Sequence, residues 1–207
     1  MRGTVQYKDK TPSRIGIHPD WNDQDHRFDL AVLQFDAELS DATIATIATT
    51  PDDLSNVTLV GYGCDNSKTS AGATVKRTGT NQAEKIDEMF QLQSLAESTT
   101  KDGTTAGACR GDSGGPMLVD TPQGIQQLGV ASTVKVTDNQ QVSKYVDLTH
   151  TKNLAFLARP FAAEPPSGDQ VVDTPECPSH CNCEFSIIRV GDETTTRHTM
   201  VCSNPLR

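Results

Sequence analysis

A serine stands inside a glycine-rich stretch, residues 108–117, whose residue types can support nucleophilic catalysis. The stretch reads ACRGDSGGPM, so Ser113 follows Asp112 and precedes two glycines. A serine hydroxyl attacks a carbonyl only when a neighbouring base takes its proton, and the oxyanion that forms needs fixed N–H donors. Glycine adopts backbone angles that allow such donors to turn inward. The stretch therefore predicts Ser113 as a nucleophile and the Gly111 and Ser113 amides as an oxyanion hole; the alternative is a glycine-rich turn with an ordinary serine.

Composition limits the classes of protein to which the chain can belong. Its 207 residues, 35% of them hydrophobic, suffice for one large domain or two small ones. The formal net charge of -9 argues against a protein that follows nucleic-acid phosphates. No run of about 18 apolar residues occurs, so we expect no membrane span. The opening MRGTVQYKDK lacks the apolar segment of a signal peptide.

Short apolar or alternating segments, separated by clusters of Gly, Asp, Asn or Pro, predict that the first part of the chain is mostly β-strand. The predicted strands are residues 14–18, 30–35, 57–63, 90–95, 116–119 and 126–136. A hairpin turn is predicted at 121–124. One helix is predicted at 149–161, capped by Thr149 or Thr151, with Leu154 and Leu157 facing inward.

The composition of the chain changes after residue 161. Residues 162–176 are polar and contain Pro165, Pro166 and Pro175, which is typical of a linker. Cysteines concentrate beyond it. We therefore predict three parts: a strand-rich domain at 1–161, a linker at 162–176 and a small Cys-rich tail at 177–207, whose partner the sequence does not indicate.

Five segments in order resemble the trypsin/chymotrypsin-like serine proteases. GDSGGP at 111–116 is similar to the nucleophile motif of that family, and DLAVL at 29–33, preceded by HPDWN, resembles the segment with the catalytic aspartate. GYG at 61–63, LGVAS at 128–132 and KYV at 144–146 match further strands. The resemblance covers about residues 14–161. It implies an all-β fold of two Greek-key barrels, the first incomplete, with a C-terminal helix.

The resemblance implies a serine endopeptidase that cleaves polypeptides through an acyl-enzyme and uses neither cofactor nor metal. Ser113 would attack, and Asp29 would orient a histidine, as in the Ser–His–Asp triad for which this family is the standard example. No segment like the family's histidine motif precedes Asp29. His18 and His26 are interpreted as surface residues. We therefore expect an N-terminally truncated sequence that is inactive as written; the alternative is a non-catalytic homologue that acts as a binding protein.

Two structural consequences would follow from the absence of the histidine segment. In the family, the carboxylate before the serine pairs with an N-terminal ammonium, and Asp112 matches this carboxylate. Without the ammonium we expect Asp112 to be buried at a cost. An incomplete first barrel is also expected to leave strand edges unpaired.

The resemblance places four residues around the primary specificity pocket. Gly107, followed by Ala108, stands where trypsins carry an aspartate, so a preference for Arg or Lys is not supported. Ser132 lies on the implied wall strand, and Val134 matches a glycine of that wall. We expect a preference for small or medium apolar side chains; alternatively, Val134 is an ordinary strand residue.

The six cysteines of this acidic, turn-rich chain suggest disulfides and hence a secreted or periplasmic protein. Cys109 matches a family cysteine whose usual partner is missing. Because the family fold places the loop with Cys64 beside the oxyanion loop, we expect a Cys64–Cys109 disulfide, with two free thiols as the alternative. The tail cysteines allow two disulfides in three pairings, or a zinc site with His180 and His198.

Overall fold

The computed structural model describes residues 3–4, 10–36, 44–50, 53–96, 105–161, 176–177, 182–189 and 197–203. Side chains are described within 10–36, 44–50, 53–96 and 105–161. This part of the chain forms fourteen strands and one helix. In chain order they are β1 Gly3–Thr4, β2 Arg14–Ile17, β3 Ala31–Gln34, β4 Ala45–Ile47, β5 Val57–Gly61, β6 Arg77–Asn81, β7 Glu84–Ile86, β8 Met89–Leu95, β9 Pro116–Thr121, β10 Gly124–Thr137, β11 Gln140–Asp147, α1 Thr151–Ala158, β12 Glu176–Cys177, β13 Asn182–Arg189 and β14 Arg197–Ser203.

The strands follow from alternating burial along the chain. In β5 the side chains of Val57 and Leu59 are buried while Thr58 between them is half-buried, and β9 buries Met117 and Val119 in the same way. This period of two puts one face of each strand on the core. The all-β fold expected from the sequence is confirmed, and the described residues include one short helix, near the end of the strand-rich part.

Strand β10 organises the sheet that carries most of the molecule. It pairs antiparallel with β9 on one side and β11 on the other, and its residues Gln126 and Gln127 pair in parallel with β4. β11 continues to β8 and β7, and β5 links β9 to β6. The β9–β10 hairpin closes through Thr121 and Gly124, where φ is +107°, so the predicted turn is confirmed.

The Cys-rich tail contributes two strands to the same sheet. β13 and β14 form an antiparallel hairpin that lies between β3 and β4, in the order β2-β3-β14-β13-β4-β10. β14 pairs antiparallel with β3, and β13 pairs in parallel with β4. β3 therefore has paired neighbours on both sides, β2 and β14, and the expectation of unpaired edges is wrong for this strand.

Two apolar clusters form the core. One lies among β5, β8, β9 and β10 and is centred on Phe90, Met117 and Leu128, each 0% exposed. The other joins β3 and β10 to the helix through Val32, Val130 and Phe156. Burying a large apolar side chain stabilises the folded state by about 1.5–3 kcal/mol, so these clusters fix the two segments that carry Asp29 and Ser113.

Helix α1 ends the strand-rich part and packs its Phe156 and Leu157 onto the second cluster. Its N-cap is His150, whose Nδ1 accepts a hydrogen bond from the Lys152 amide at 3.3 Å, so the predicted threonine caps are wrong. Thr149 is occupied elsewhere, because its amide and hydroxyl both donate to Asp147 Oδ1. Leu157 is buried as predicted. Within the described residues, no helix has the length and hydropathy to cross a membrane.

Candidate active site

Asp29 lies just before β3 and is 3% exposed. The backbone positions it, because the His18 amide donates to Leu30 O at 2.9 Å and Phe28 adopts a left-handed φ of 54°. Its Oδ2 accepts a 2.7 Å hydrogen bond from the hydroxyl of Ser132. Burial raises the pKa of Asp29 to about 7, and the Ser132 hydrogen bond opposes only part of this rise.

Ser132 reaches Asp29 because of a bulge in β10. Ala131 pairs with Tyr145 and Thr133 pairs with Lys144, so Ser132 is the extra residue between two consecutive positions of β11. A bulge of this kind redirects a side chain that regular pairing would point elsewhere. Ser132 is 4% exposed, and its hydroxyl links β10 to the segment before β3, 103 residues away in the sequence.

The loop with Ser113 is held next to Ser132 by backbone hydrogen bonds. The Gly114 amide donates to Ala131 O, and the Ala131 amide donates to Gly115 O, both at 2.9 Å. Within the loop, the Asp112 amide donates to Cys109 O and the Gly115 amide donates to Asp112 O. The structure thus brings the neighbour of Ser113 onto β10 beside the residue that bonds Asp29.

Two glycines give the loop its shape. Gly111 has a φ of +96° and Gly114 a φ of +80°, both in the left-handed region that other residues rarely adopt. A Cβ on Gly111 would also lie 3.1 Å from Gly63 Cα. The conformation of the Ser113 loop therefore requires glycine at positions 111 and 114.

The Asp112 carboxylate turns inward and is satisfied by backbone amides. Its Oδ1 accepts from the Gly63 amide at 2.7 Å, and its Oδ2 accepts from the Cys109 amide at 2.8 Å. Burial raises the pKa of Asp112, whereas these hydrogen bonds and the charge of Arg77 lower it. The expected cost of burying Asp112 without an ammonium is therefore reduced but not removed: main-chain donors hold the carboxylate, and burial still raises its pKa overall.

The GYG segment makes room for this carboxylate. A Cβ on Gly63 would lie 2.5–2.6 Å from the Asp112 carboxyl atoms, closer than real contacts allow, and Gly61 is crowded by the same side chain. The carbonyl oxygen of Gly63 is also held, because Arg77 donates to it at 3.1 Å. Asp112 and Arg77 therefore hold Gly63 through its N–H and its C=O, an arrangement that sequence reasoning missed because Arg77 belongs to no motif.

The residues predicted for the specificity pocket meet β11. The buried Ser143 hydroxyl accepts from the Ala108 amide at 3.0 Å, and Gln141 Nε2 donates to Ala108 O at 2.6 Å. At Gly107, an added Cβ would meet Gln141 Nε2 and the Ser94 side chain. Val134 is half-buried and packs on the first core cluster. Gln141 and Ser143 were not found from the sequence, since no predicted strand or motif includes these two positions.

A cavity of about 320 Å³ is lined in part by residues of the Ser113 loop. Its wall includes Gly63, Arg77, Gly107 and Asp112. The Cys64–Cys109 disulfide borders it, with a Cα separation of 5.3 Å. The predicted pairing is thereby confirmed, and it ties the GYG strand to the loop that carries Ser113.

The three histidines whose side chains are described have other contacts. His18 is 3% exposed and stacks on Phe28 at 4.8 Å, while its Nδ1 accepts from the Asp20 amide. Burial lowers its pKa, and the interpretation of His18 as a surface residue is wrong. His150 caps α1, and His26 lies 5.9 Å from the Trp21 ring. None of these contacts involves Asp29 or Ser132.

Three features define a chain of the serine-protease type. They are the β-sheet architecture, the hydrogen bond between Asp29 and Ser132, and the Ser113 loop, whose shape depends on two glycines. A family model described as Trypsin matches residues 2–154, and the chain therefore belongs to the trypsin family. No curated protein matches the chain.

Proposed function

We propose that the chain is a serine-type endopeptidase in architecture, with Ser113 as the nucleophile and Asp29 as the residue that orients its base. The observation that carries this proposal is the pair of hydrogen bonds from Ser132 to Asp29 and from Gly114, next to Ser113, to Ala131, the neighbour of Ser132. Polypeptides are the substrate class, and the compartment is an oxidising one, outside the cytoplasm, in which the Cys64–Cys109 disulfide persists.

The chemistry follows from the arrangement of the loop. The Ser113 hydroxyl adds to the peptide carbonyl carbon as a base takes its proton, and the Gly111 and Ser113 amides stabilise the oxyanion. Collapse of this adduct expels the amine, to which the base returns the proton, and leaves an acyl-enzyme. Water then hydrolyses the acyl-enzyme.

The base is the element that the described histidines do not supply. His18, His26 and His150 lie in other contacts, and loss of the histidine in a comparable triad costs about 10⁶ in turnover. We therefore propose that the 207-residue chain by itself does not hydrolyse peptides at a detectable rate. The same observation favours a second function, a binding protein that uses the protease scaffold.

Added imidazole tests the proposal, because it can stand in for a missing base. The full chain is treated with a fluorophosphonate probe, with and without imidazole, beside the Ser113→Ala variant. We expect labelling that rises with imidazole and is lost in Ser113→Ala. Labelling that persists in Ser113→Ala would refute Ser113 as the nucleophile, and absence of imidazole-dependent labelling would favour the binding protein.

A further inference from the structure

The hairpin β13–β14 places two of the tail cysteines opposite each other. The register of this antiparallel pair runs from Asn182 opposite Ser203 to Ile188 opposite Arg197, and it puts Cys183 directly opposite Cys202. Directly opposed residues in an antiparallel pair share one face and have Cα atoms about 4.5 or 5.5 Å apart. Both separations lie inside the roughly 4.4–6.8 Å range of protein disulfides.

We infer that Cys183 and Cys202 form a disulfide that closes the tail hairpin where it lies beside β3. Of the three pairings open to four cysteines, the register selects the one that contains Cys183–Cys202. Cys177 belongs to another ladder, in which β12 pairs with β1 and Cys177 lies opposite Gly3. This inference does not depend on the proposed protease activity.

The position of the hairpin gives the disulfide a structural consequence. β14 pairs with β3 at three consecutive positions, with His198, Thr199 and Met200 opposite Leu33, Val32 and Ala31. β3 begins two residues after Asp29. An edge strand otherwise exposes unpaired backbone groups to other chains, so a hairpin held in one register keeps β3 covered by a segment of its own chain.

A zinc site fits the register less well. His198 and Cys202 lie four residues apart on β14, which separates their Cα atoms by roughly 13 Å along an extended strand. Zinc–ligand bonds are only about 2.0–2.3 Å long, so one zinc would have to draw two distant positions together. A disulfide needs no change in the pairing.

Formation of the bond requires an oxidant, for which we name a small-molecule disulfide such as oxidised glutathione. One cysteine thiolate attacks the glutathione disulfide, releases one glutathione thiolate and forms a mixed disulfide. The second cysteine thiolate then attacks the protein sulfur and releases the other glutathione. Two protein thiols are thereby oxidised, and one glutathione disulfide is reduced to two thiols.

Two double variants of the full chain, refolded in a glutathione buffer, test the pairing. Cys177→Ser/Cys181→Ser leaves Cys183 and Cys202, whereas the matched control Cys177→Ser/Cys183→Ser leaves Cys181 and Cys202. Alkylation in denaturant followed by intact mass counts the cysteines outside protein disulfides. We expect none in the first variant and two in the control, as free thiols or glutathione adducts. Two such cysteines in the first variant, or full oxidation of the control, would overturn the inference.

The unaltered chain provides the second measurement, which decides the matter if either variant fails to fold. Electron-transfer fragmentation of the non-reduced chain cleaves on both sides of Asn182 and so separates Cys181 from Cys183. A bond from Cys202 to Cys183 is expected. A bond from Cys202 to Cys177 or Cys181, or one equivalent of retained zinc with reduced tail thiols, would refute the pairing.

Discussion

The hydroxyl of Ser132 donates a 2.7 Å hydrogen bond to the Asp29 carboxylate, although 103 residues separate them in the sequence. Both side chains are buried, at 4% and 3% exposure. The bond ties the segment before β3 to the bulge of β10, and its donor is a neutral hydroxyl. Because Ser132 supplies no charge, burial has the larger effect on the pKa of Asp29.

Asp29 should make stability fall as the pH rises. Its pKa is about 7 in the folded chain against an ordinary value of 3.8, so between these values the folded state keeps a proton that the unfolded state has released. Its stabilising contribution is complete below about pH 4 and is lost as the pH rises through 7, on the order of 4 kcal/mol in total. Urea unfolding from pH 4 to 8 measures the loss.

Asp29→Asn should remove this component, because an amide does not titrate in this range. Asp36→Asn is the matched control, since Asp36 is exposed, and it should keep the fall of the parent chain. Ser132→Ala should shift the fall to higher pH, because it removes the hydrogen bond that lowers the pKa of Asp29. A parent chain and an Asp29→Asn variant with equal pH slopes would contradict the raised pKa.

Asp112→Asn should destabilise the Ser113 loop. The NH2 group of an asparagine cannot accept, so one of the two backbone amides that Asp112 now satisfies, that of Gly63 or that of Cys109, would be left without its partner. An unsatisfied buried donor costs about 1–3 kcal/mol, to be measured as the change in free energy of unfolding at pH 7. Asp120→Asn, at an exposed position of β9, should change it by less than about 0.5 kcal/mol. Equal losses in the two variants would count against the loop geometry.

Lys85→Met should leave a buried carboxylate without its cation. Lys85 Nζ lies 2.7 Å from Asp147 Oδ2, and the Asp147 side chain is 0% exposed while that of Lys85 is 39% exposed. Removing one partner of a buried ion pair typically costs 3–5 kcal/mol; the partial exposure of Lys85 reduces this to about 2–3 kcal/mol. Thermal unfolding compares it with Lys144→Met, an exposed lysine of β11 that should be nearly neutral. If Lys85→Met left thermal stability unchanged, the ion pair would contribute nothing to stability.

Removal of the Cys64–Cys109 disulfide should lower stability by about 4 kcal/mol, because it closes a loop of 45 residues in the unfolded chain. Cys64→Ser/Cys109→Ser tests this against the parent chain in urea under oxidising conditions. A reductant should lower the midpoint of the parent chain but should change the double variant less. Coincident curves for parent and variant would indicate that the bond constrains neither state.

Local patterns predicted those features that depend on neighbouring residues. The alternation of buried and less buried side chains in β5 and β9 was visible in the sequence, and so was the turn at Thr121 and Gly124. The cap of α1 was not, because His150 Nδ1 accepts from the Lys152 amide, whereas Thr149 donates its amide and hydroxyl hydrogens to Asp147. Which neighbouring residue accepts from the helix depends on the tertiary fold.

Contacts between distant segments were the part that the sequence could not give. Arg77 donates a hydrogen bond to the backbone of Gly63, and Gln141 donates one to the backbone of Ala108. No spacing between these residues in the sequence indicates either contact. The pairing of β14 with β3 uses main-chain groups, which every residue other than proline carries. The Cys64–Cys109 pair was predicted because cysteine has few chemical roles and because the family resemblance implied that the two loops lie side by side.

The covalent link between Cys64 and Cys109 also changes what a cut in the intervening segment would do. If another protease hydrolysed a single peptide bond between these two positions, the fragments would stay attached. Electrophoresis without reductant would show one band of unaltered size, and two smaller bands would separate only after reduction. A nicked molecule would therefore persist with its core strands in place. Electrophoresis without reductant would not distinguish it from an intact molecule.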